Sequence, residues 1–359
     1  MANWSELPQE LVRKVATEHV ENVEDFEEIG KVCSEWRSAT KDVNFFPSKN
    51  TQIPWLMIVD PPNSPHRRFY SLSKHMFQKI NLPQIDDDDD DDHRRYFSSK
   101  GWIISVSMKN RNITLFDPTS GKVIKLPSVP LNMLYDDNWY DYSYLGYFYK
   151  FIISGIPSSC DGDFTVTMIF DMTQQLAFWR PGEDKWTRPV VDFKISWVFD
   201  TCFFNREFYS IDYLGKVMAF GSEIAKRQPR IVVDLKDQGV IIKPTNGKFY
   251  LVEVETKLLV VYRHHVLLEY HERSENSNVV YWTTRFEIFE LNVDNGKVKP
   301  IKGVGNRAIF IDDAVLMGGG IDMGIYSLDE GKLIERFYEG PSQFCFTTPP
   351  IWVERRGNL

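Results

Sequence analysis

The N-terminal twenty residues show the apolar spacing of one helix face. Five apolar positions recur at steps of three and four: Leu11, Val12, Val15, Ala16 and Val20. Pro8 suits the first helical position, because a proline there loses no helical hydrogen bond, and Ser5 could act as a cap. The pattern predicts an amphipathic helix that begins at Pro8.

A second helical pattern follows closely. Asp25 and Glu28 have the spacing of a capping box, which indicates a helix beginning near Asp25. A second apolar stripe then recurs at helical spacing: Phe26, Ile29, Cys33 and Trp36. Two such short helices cannot bury both stripes by themselves. They therefore either pack against the rest of the chain or bind a partner.

Beyond Phe46 the helical period gives way to short alternating runs separated by Gly, Asn, Asp and Pro, which is typical of β-hairpins. Six segments have this form: Ile113–Pro127, Leu176–Pro189, Phe208–Gly221, Phe249–Arg263, Phe286–Ile301 and Gly324–Tyr338. The last four begin about 38 residues apart, a spacing typical of propeller blades. The sequence therefore predicts a mainly β chain: a helical module over residues 1–46, then a β-propeller of about six or seven blades over residues 51–359. A pair of β-sandwiches is the alternative.

Charge and composition exclude several kinds of partner. The net charge is −8, and the run Asp86–Asp92 supplies seven of those charges, so the rest of the chain is nearly neutral. A nearly neutral body gives no electrostatic footprint for nucleic acid or for an anionic membrane, and no apolar run is long enough to cross a bilayer. The four cysteines are far apart, which fits a reducing cytoplasmic or nuclear compartment.

No motif predicts catalysis, a metal or a cofactor. Consecutive aspartates lack the spaced ligands of a calcium loop, so Asp86–Asp92 is interpreted as a solvated acidic loop. In an extended strand His265 and His271 would lie about 20 Å apart, too far to share a metal ion. The glycine-rich stretch Met317–Gly324 has no phosphate-binding Gly-Lys-Ser/Thr and is interpreted as a turn. The aromatic stretch Asn138–Tyr149 could fill blade cores or form a recognition surface.

The N-terminal segment resembles an F-box, the helical module that docks onto the Skp-type adaptor of cullin–RING ubiquitin ligases. The resemblance rests on Leu7-Pro8, Glu10-Leu11-Val12, Val15, Val32-Cys33 and Trp36-Arg37. It implies these adaptor-binding residues: Leu7, Pro8, Leu11, Val12, Val15, Ile29, Val32, Cys33, Trp36 and Arg37. Two departures are the acidic Glu27 and Glu28, where family members often have Arg, and Gly30, which weakens a helix.

Nearly the whole chain is similar to the plant F-box proteins whose C-terminal part is catalogued as domain of unknown function 295. The similar segments include "FYSL", "GWIISV", "FDPTSGKVIKLP", "YLVEVETKLLVVYR" and the closing "PPIWVERR". One departure is "YFSSKGW", where the family often has Cys and Gly-Ser before the Gly-Trp. The strict kelch signature is absent, so a kelch-like propeller is expected at most.

These resemblances imply a non-catalytic substrate-recognition subunit of an SCF-type ubiquitin ligase. The F-box would bind the adaptor, and the propeller would bind a protein substrate whose identity the sequence does not give. Two alternatives stay open at this point. One is a scaffold protein whose helices no longer bind an adaptor, and the other is a propeller enzyme or sugar-binding lectin.

Overall fold

The computed structural model describes most of the helical module and the propeller strands. The described residues are 4–20, 23–41, 54–58, 66–72, 75–81, 94–107, 111–118, 120–129, 148–157, 164–171, 173–191, 196–221, 224, 226–242, 247–268, 280–305, 308–311, 323–327, 332–338 and 351–354. Several segments discussed above lie outside this set: Asp86–Asp92, His271, and most of Asn138–Tyr149 and Met317–Gly324.

Three helices follow a short 3-10 turn at Trp4–Glu6: α1 (Gln9–Glu18), α2 (Val23–Val32) and α3 (Ser34–Thr40). The prediction of one second helix from Asp25 onward is wrong, because Cys33 separates two helices. Its extended backbone, with φ −158° and ψ 174°, ends the helical hydrogen-bond ladder. Pro8 precedes the first helical residue of α1, and no side chain caps that helix.

The strands form antiparallel blades that follow one another along the chain. Blade 1 contains β1 (Trp55–Met57), β2 (His66–Ser71) and β3 (Met76–Asn81), and blade 2 contains β4 (Arg94–Ser99), β5 (Trp102–Ser107), β6 (Ile113–Phe116) and β7 (Val123–Leu126). Blade 3 contains β8 (Phe148–Ile153), β9 (Val166–Phe170) and β10 (Gln175–Trp179). Blade 4 contains β11 (Val198–Phe204), β12 (Glu207–Asp212), β13 (Lys216–Phe220) and β14 (Arg230–Asp234).

Blade 5 contains β15 (Gly247–Val254), β16 (Lys257–Leu268), β17 (Val280–Leu291) and β18 (Val298–Ile301). A two-stranded hairpin follows, β19 (Met323–Ser327) and β20 (Lys332–Tyr338), and the last strand, β21 (Ile351–Val353), pairs with β1. The protein is therefore mainly β, with a propeller of five blades in the described part of the chain. The paired β-sandwich is not the observed architecture.

Five of the six predicted hairpins are present as antiparallel strand pairs: β6–β7, β12–β13, β15–β16, β17–β18 and β19–β20. In the remaining one, Leu176–Pro189, strand β10 is joined to the returning segment by a single antiparallel bridge between Phe178 and Thr187. The "SSKGW" segment forms a two-residue turn in which Lys100 and Gly101 both have positive φ, at 50° and 74°. Such a turn suits the right-handed twist of a hairpin, so the strand begins normally despite the departure from the family pattern.

Polar contacts join the first strands of neighbouring blades. Ser98 on β4 donates to the carbonyl oxygen of Trp352 on β21, and Ser99 accepts from the backbone N–H of Ile153 on β8 at 3.0 Å. Asp200 on β11 pairs with Lys150 on β8 and accepts from the backbone N–H of Leu251 on β15 at 2.8 Å. These strands are therefore the inner strands of the propeller, and β21 is the inner strand of blade 1.

The hydrophobic core lies between successive blades. Ile104 and Leu115 of blade 2 pack with Phe151 and Met168 of blade 3, and all four side chains are buried. Similar apolar layers join blade 1 to blade 2, blade 3 to blade 4, and blade 4 to blade 5. Burial between blades is the main favourable contribution to holding such sheets together.

Candidate functional site

The interior of the helical module is small. Val12 and Ala16 of α1 and Ala39 and Thr40 of α3 are its buried side chains among the described residues. The Nε of Arg13 on α1 donates to the carbonyl oxygen of Ala39 at 3.2 Å, which ties α1 to α3. A short helix gains most of its stability from such packing rather than from its own propensity. One face of α1 thus packs against α3.

The predicted apolar stripe of α1 divides into two faces. Val12 is only 1% exposed, whereas Leu11 and Val15 are 49% and 40% exposed. Pro8, one turn earlier than Leu11 and Val12, is exposed as well. We call Pro8, Leu11 and Val15 the α1 outer face. An apolar face turned away from its own module is typical of a surface that a partner covers.

The remaining predicted adaptor-binding residues take different positions. Leu7, Ile29, Cys33 and Trp36 are half-buried, and Val32 and Arg37 are exposed. The indole N–H of Trp36 donates to the carbonyl oxygen of Trp4 at 3.1 Å, and the Nε of Arg37 donates to the carbonyl oxygen of Gly30 at 3.1 Å. Trp36 and Arg37 therefore hold the 3-10 turn and α2 against α3. Whether any of the ten residues contacts an adaptor stays a prediction.

A second aromatic surface lies where the inner strand of blade 4 begins. Trp197 is its exposed side chain, and Phe199 and Tyr213 are half-buried. Trp197 is 54% exposed, and its ring centroid is 5.9 Å from that of Tyr213, which lies in the β12–β13 turn. Phe199 contacts the same tyrosine at 6.3 Å between centroids. We call these three side chains the blade-4 aromatic cluster. Exposed aromatic side chains are frequent anchors at protein interfaces.

A β-bulge explains why this cluster forms. The pairing of β11 with β12 shifts between Val198 and Asp200, so Phe199 falls out of the regular ladder. Bulges of this kind re-aim a side chain at the end of a sheet. Sequence reasoning missed the cluster, because aromatic residues at alternating positions look the same whether they fill a blade or face solvent. The one-residue register shift has no local signal in the sequence.

Charged groups lie beside the cluster. Asp200, next to Phe199, is buried and paired with Lys150, whose side chain is one-third exposed. In blade 2, on β4, burial lowers the pKa of Arg95 to about 10, and the nearby Tyr149 phenol opposes that shift. Burial, followed by the negative charge of Asp200, raises the pKa of the Cys202 thiol, so this cysteine is a poor nucleophile at neutral pH. Asp200 on β11 pairs with Lys150 on β8 and accepts from the backbone N–H of Leu251 on β15, so it links three inner strands.

The described residues offer neither a metal site nor a membrane-spanning helix. No cluster of three or more His, Cys, Asp or Glu side chains that could hold a metal ion occurs among them. His264 instead lies 3.2 Å from a carboxylate oxygen of Glu287. No described helix is long and apolar enough to cross a bilayer.

These features define a β-propeller protein with an N-terminal helical module. A family model described as KIB1-4 beta-propeller matches residues 69–317, which is more than half of the chain. The chain therefore belongs to the KIB1-4 beta-propeller family.

Other similarities are more distant. An Arabidopsis thaliana protein named "Putative F-box protein" is 22% identical over 310 residues, which are 86% of this chain and 78% of that protein. Among solved structures, TolB from Acinetobacter baumannii is 11% identical over 76% of this chain and 57% of its own, with a TM-score of 0.37. A luciferin-regenerating enzyme is 9% identical over 70% of this chain and 77% of its own, with a TM-score of 0.35. At these TM-scores neither structural likeness supports a conclusion about this chain.

Proposed function

We propose that this chain is the substrate-recognition subunit of an SCF-type E3 ubiquitin ligase. The helical module, residues 1–46, would be an F-box that docks onto a Skp-type adaptor. The observation that carries the proposal is the α1 outer face: Leu11 and Val15 are exposed although Val12 and Ala16 already complete the module's interior. The name of the Arabidopsis relative supports the same reading.

In this proposal the propeller holds a protein substrate, and the blade-4 aromatic cluster is the first surface to test for that role. The protein works by proximity, because holding a substrate near a charged ubiquitin-conjugating enzyme raises its effective concentration. It carries out no covalent step, needs no cofactor, and acts in the cytoplasm, the nucleus or both. Its C-terminal part is the domain of unknown function 295, of kelch-like type, and β19–β20 belong to a sixth blade.

Adaptor binding tests the proposal directly. The purified chain is titrated against an immobilised Skp-type adaptor, beside the double variant Leu11→Asp/Val15→Asp. Two carboxylates on the α1 outer face should weaken binding by at least about thirtyfold, since each removes a central apolar contact. Thr17→Asp is the matched control, because Thr17 is exposed on the opposite side of α1. That variant should bind the adaptor as tightly as the unmodified chain.

Circular dichroism first establishes that each variant is folded. If the folded, unmodified chain binds no adaptor at micromolar concentration, the ligase role is wrong and the protein is a scaffold or binding module. If Thr17→Asp loses binding as strongly as the double variant, the α1 outer face is not the docking surface.

A further inference from the structure

The outermost strand of blade 1 is unusually exposed. Met76 and Phe77, the first two residues of β3, are 53% and 54% exposed, and Gln78 and Lys79 are exposed as well. β3 pairs with β2 on one side, and no described strand pairs with its other side. Unpaired backbone groups along an exposed apolar strand are a template for another extended chain.

The hydrogen-bond register identifies which backbone groups of β3 are free to pair. The backbone N–H of Ile58 donates to the carbonyl oxygen of Arg68 at 3.0 Å, so the backbone groups of Arg68 point towards β1. Arg68 lies opposite Lys79, and Tyr70 lies opposite Phe77. In an antiparallel ladder these are the non-hydrogen-bonded pairs. The N–H and C=O groups of Phe77 and Lys79 therefore point outward from the edge of blade 1.

Other outermost strands are protected in ways that β3 is not. Strand β18 contains Pro300, and β7 has only four residues, with Pro127 immediately after it. Arg230, the first residue of β14, is held by Glu207 at 3.1 Å and by the carbonyl oxygen of Val293 at 3.0 Å. Proline, short length and fixed charges are the common ways to block edge pairing. β3 has six residues and no proline, and its one charged residue, Lys79, disfavours an uncharged or basic strand but suits a strand that carries a carboxylate.

The charges around this edge select the kind of partner. Arg68 and Lys79 share one face of β2 and β3, and these two strands contain no Asp or Glu. Arg67 lies on the other face, where it is buried and donates to the Tyr96 hydroxyl. The Arg68 guanidinium lies 5.8 Å from the centre of the Phe77 ring, and the Tyr70 ring lies 5.0 Å from it. Lys79 lies opposite Arg68 in the ladder, so the edge combines an aromatic surface with positive charge. A second copy of this strand paired about Lys79 would place two lysines opposite each other, which disfavours that register of self-pairing.

We propose that β3 binds an extended acidic segment of a partner protein, which adds as a further strand to blade 1. Side chains two residues apart share one face of a strand, and Phe77 and Lys79 are two residues apart. The bound segment therefore places an apolar side chain opposite Phe77 and a carboxylate, two residues away, opposite Lys79. Backbone hydrogen bonds supply affinity, and these two side-chain contacts supply specificity. This site does not depend on adaptor binding.

Two labelled peptides test the site on the full chain by fluorescence anisotropy. The first is a blocked eight-residue peptide of alternating Thr and Val in which one central Val is replaced by Glu. The second has Lys in place of that Glu. The Glu peptide should bind about tenfold more tightly, because a favourable cross-strand charge pair replaces a repulsive one. The variant Lys79→Glu should reverse this preference.

Lys79→Pro separates backbone pairing from charge attraction. The N–H of Lys79 points outward, so proline there should leave the unfolding midpoint of the chain unchanged. It should weaken binding of both peptides about tenfold or more, since it removes a donor from the new ladder. Lys79→Ala is the control that removes the charge but keeps the donor.

Several results would overturn the proposal. Equal affinity of the two peptides for the unmodified chain would contradict the proposed charge contact with Lys79. Unchanged peptide binding by Lys79→Pro would contradict binding by strand addition. Absence of binding at millimolar peptide would rule out the site. A dimer in sedimentation that Lys79→Pro dissociates would identify a second copy, not an acidic segment, as the occupant.

Discussion

Leu11 and Val12 are adjacent in the chain but lie in opposite environments, one exposed and one buried. A helix turns about 100° per residue, so the apolar stripe could be placed on α1 from spacing alone. Spacing could not show that α3 would cover only the Val12 side of the stripe. That depends on Ala39, whose small side chain allows α1 and α3 to approach closely.

Two glycines of the chain should respond in opposite directions to the same substitution. A Cβ at Gly30, inside α2, would meet Thr40 Oγ1 at 3.4 Å, an ordinary contact, so Gly30→Ala should raise the free energy of unfolding by about 0.5–1 kcal/mol. Gly296 has φ +69°, and its Cβ would lie 2.3 Å from the carbonyl oxygen of Val232. Gly296→Ala should therefore lower that free energy by at least about 1 kcal/mol.

Urea unfolding of the unmodified chain, Gly30→Ala and Gly296→Ala measures both changes in the free energy of unfolding. A destabilising Gly30→Ala would mean that α2 and α3 are packed more tightly than the contact with Thr40 indicates. A neutral Gly296→Ala would mean that blades 4 and 5 can separate there without cost.

At the scale of the element, the hairpins could be predicted and the longer-range geometry could not. Each hairpin depends on local information: alternation of apolar and polar residues, and a turn such as Lys100–Gly101 between the strands. The break at Cys33 was missed, because an apolar stripe continues across it at helical spacing. The bulge at Phe199 was missed, because register between strands is set by pairing partners that the local pattern does not identify.

Asp200 was also invisible to sequence reasoning, since a single carboxylate in an apolar strand has no distinguishing spacing. In the structure it joins three inner strands, pairing with Lys150 on β8 and accepting from Leu251 N–H on β15. Asp200→Ala should lower the free energy of unfolding by about 1–3 kcal/mol, because the buried Leu251 N–H loses its acceptor. Asp200→Asn keeps an acceptor oxygen, so it should lower the free energy of unfolding by less than Asp200→Ala does.

Chemical denaturation of both Asp200 variants, monitored by tryptophan fluorescence, decides between these outcomes. Equal losses would show that the ion pair with Lys150, and not the bond to Leu251, carries the stabilisation. No loss in either variant would show that the inner strands are held by apolar packing alone.

At the scale of the whole molecule, the propeller was predicted from repeated units, but its blade count and its closure were not. Six or seven blades were expected, and the described part of the chain forms five. Strand β21 pairs with β1, so Trp55 lies opposite Val353 across almost the full length of the chain. No periodic pattern identifies a three-residue strand as the partner of a segment so distant in sequence. Ile351 and Val353 are buried with Trp55 and Met57 in the layer between blades 1 and 2. Closure of blade 1 therefore depends on the C-terminal strand.

Two truncations of the chain test this closure. A protein ending at Pro350 lacks β21 and leaves the backbone of β1 and the Trp55 side chain uncovered, so its unfolding midpoint in urea should fall sharply. The slope of its unfolding free energy against urea concentration should also fall, because less surface is buried in the folded state. A protein ending at Glu354 keeps β21 and should unfold like the full chain. If both truncations unfold alike, β1 is held by β2 alone, and β21 does not stabilise the ring.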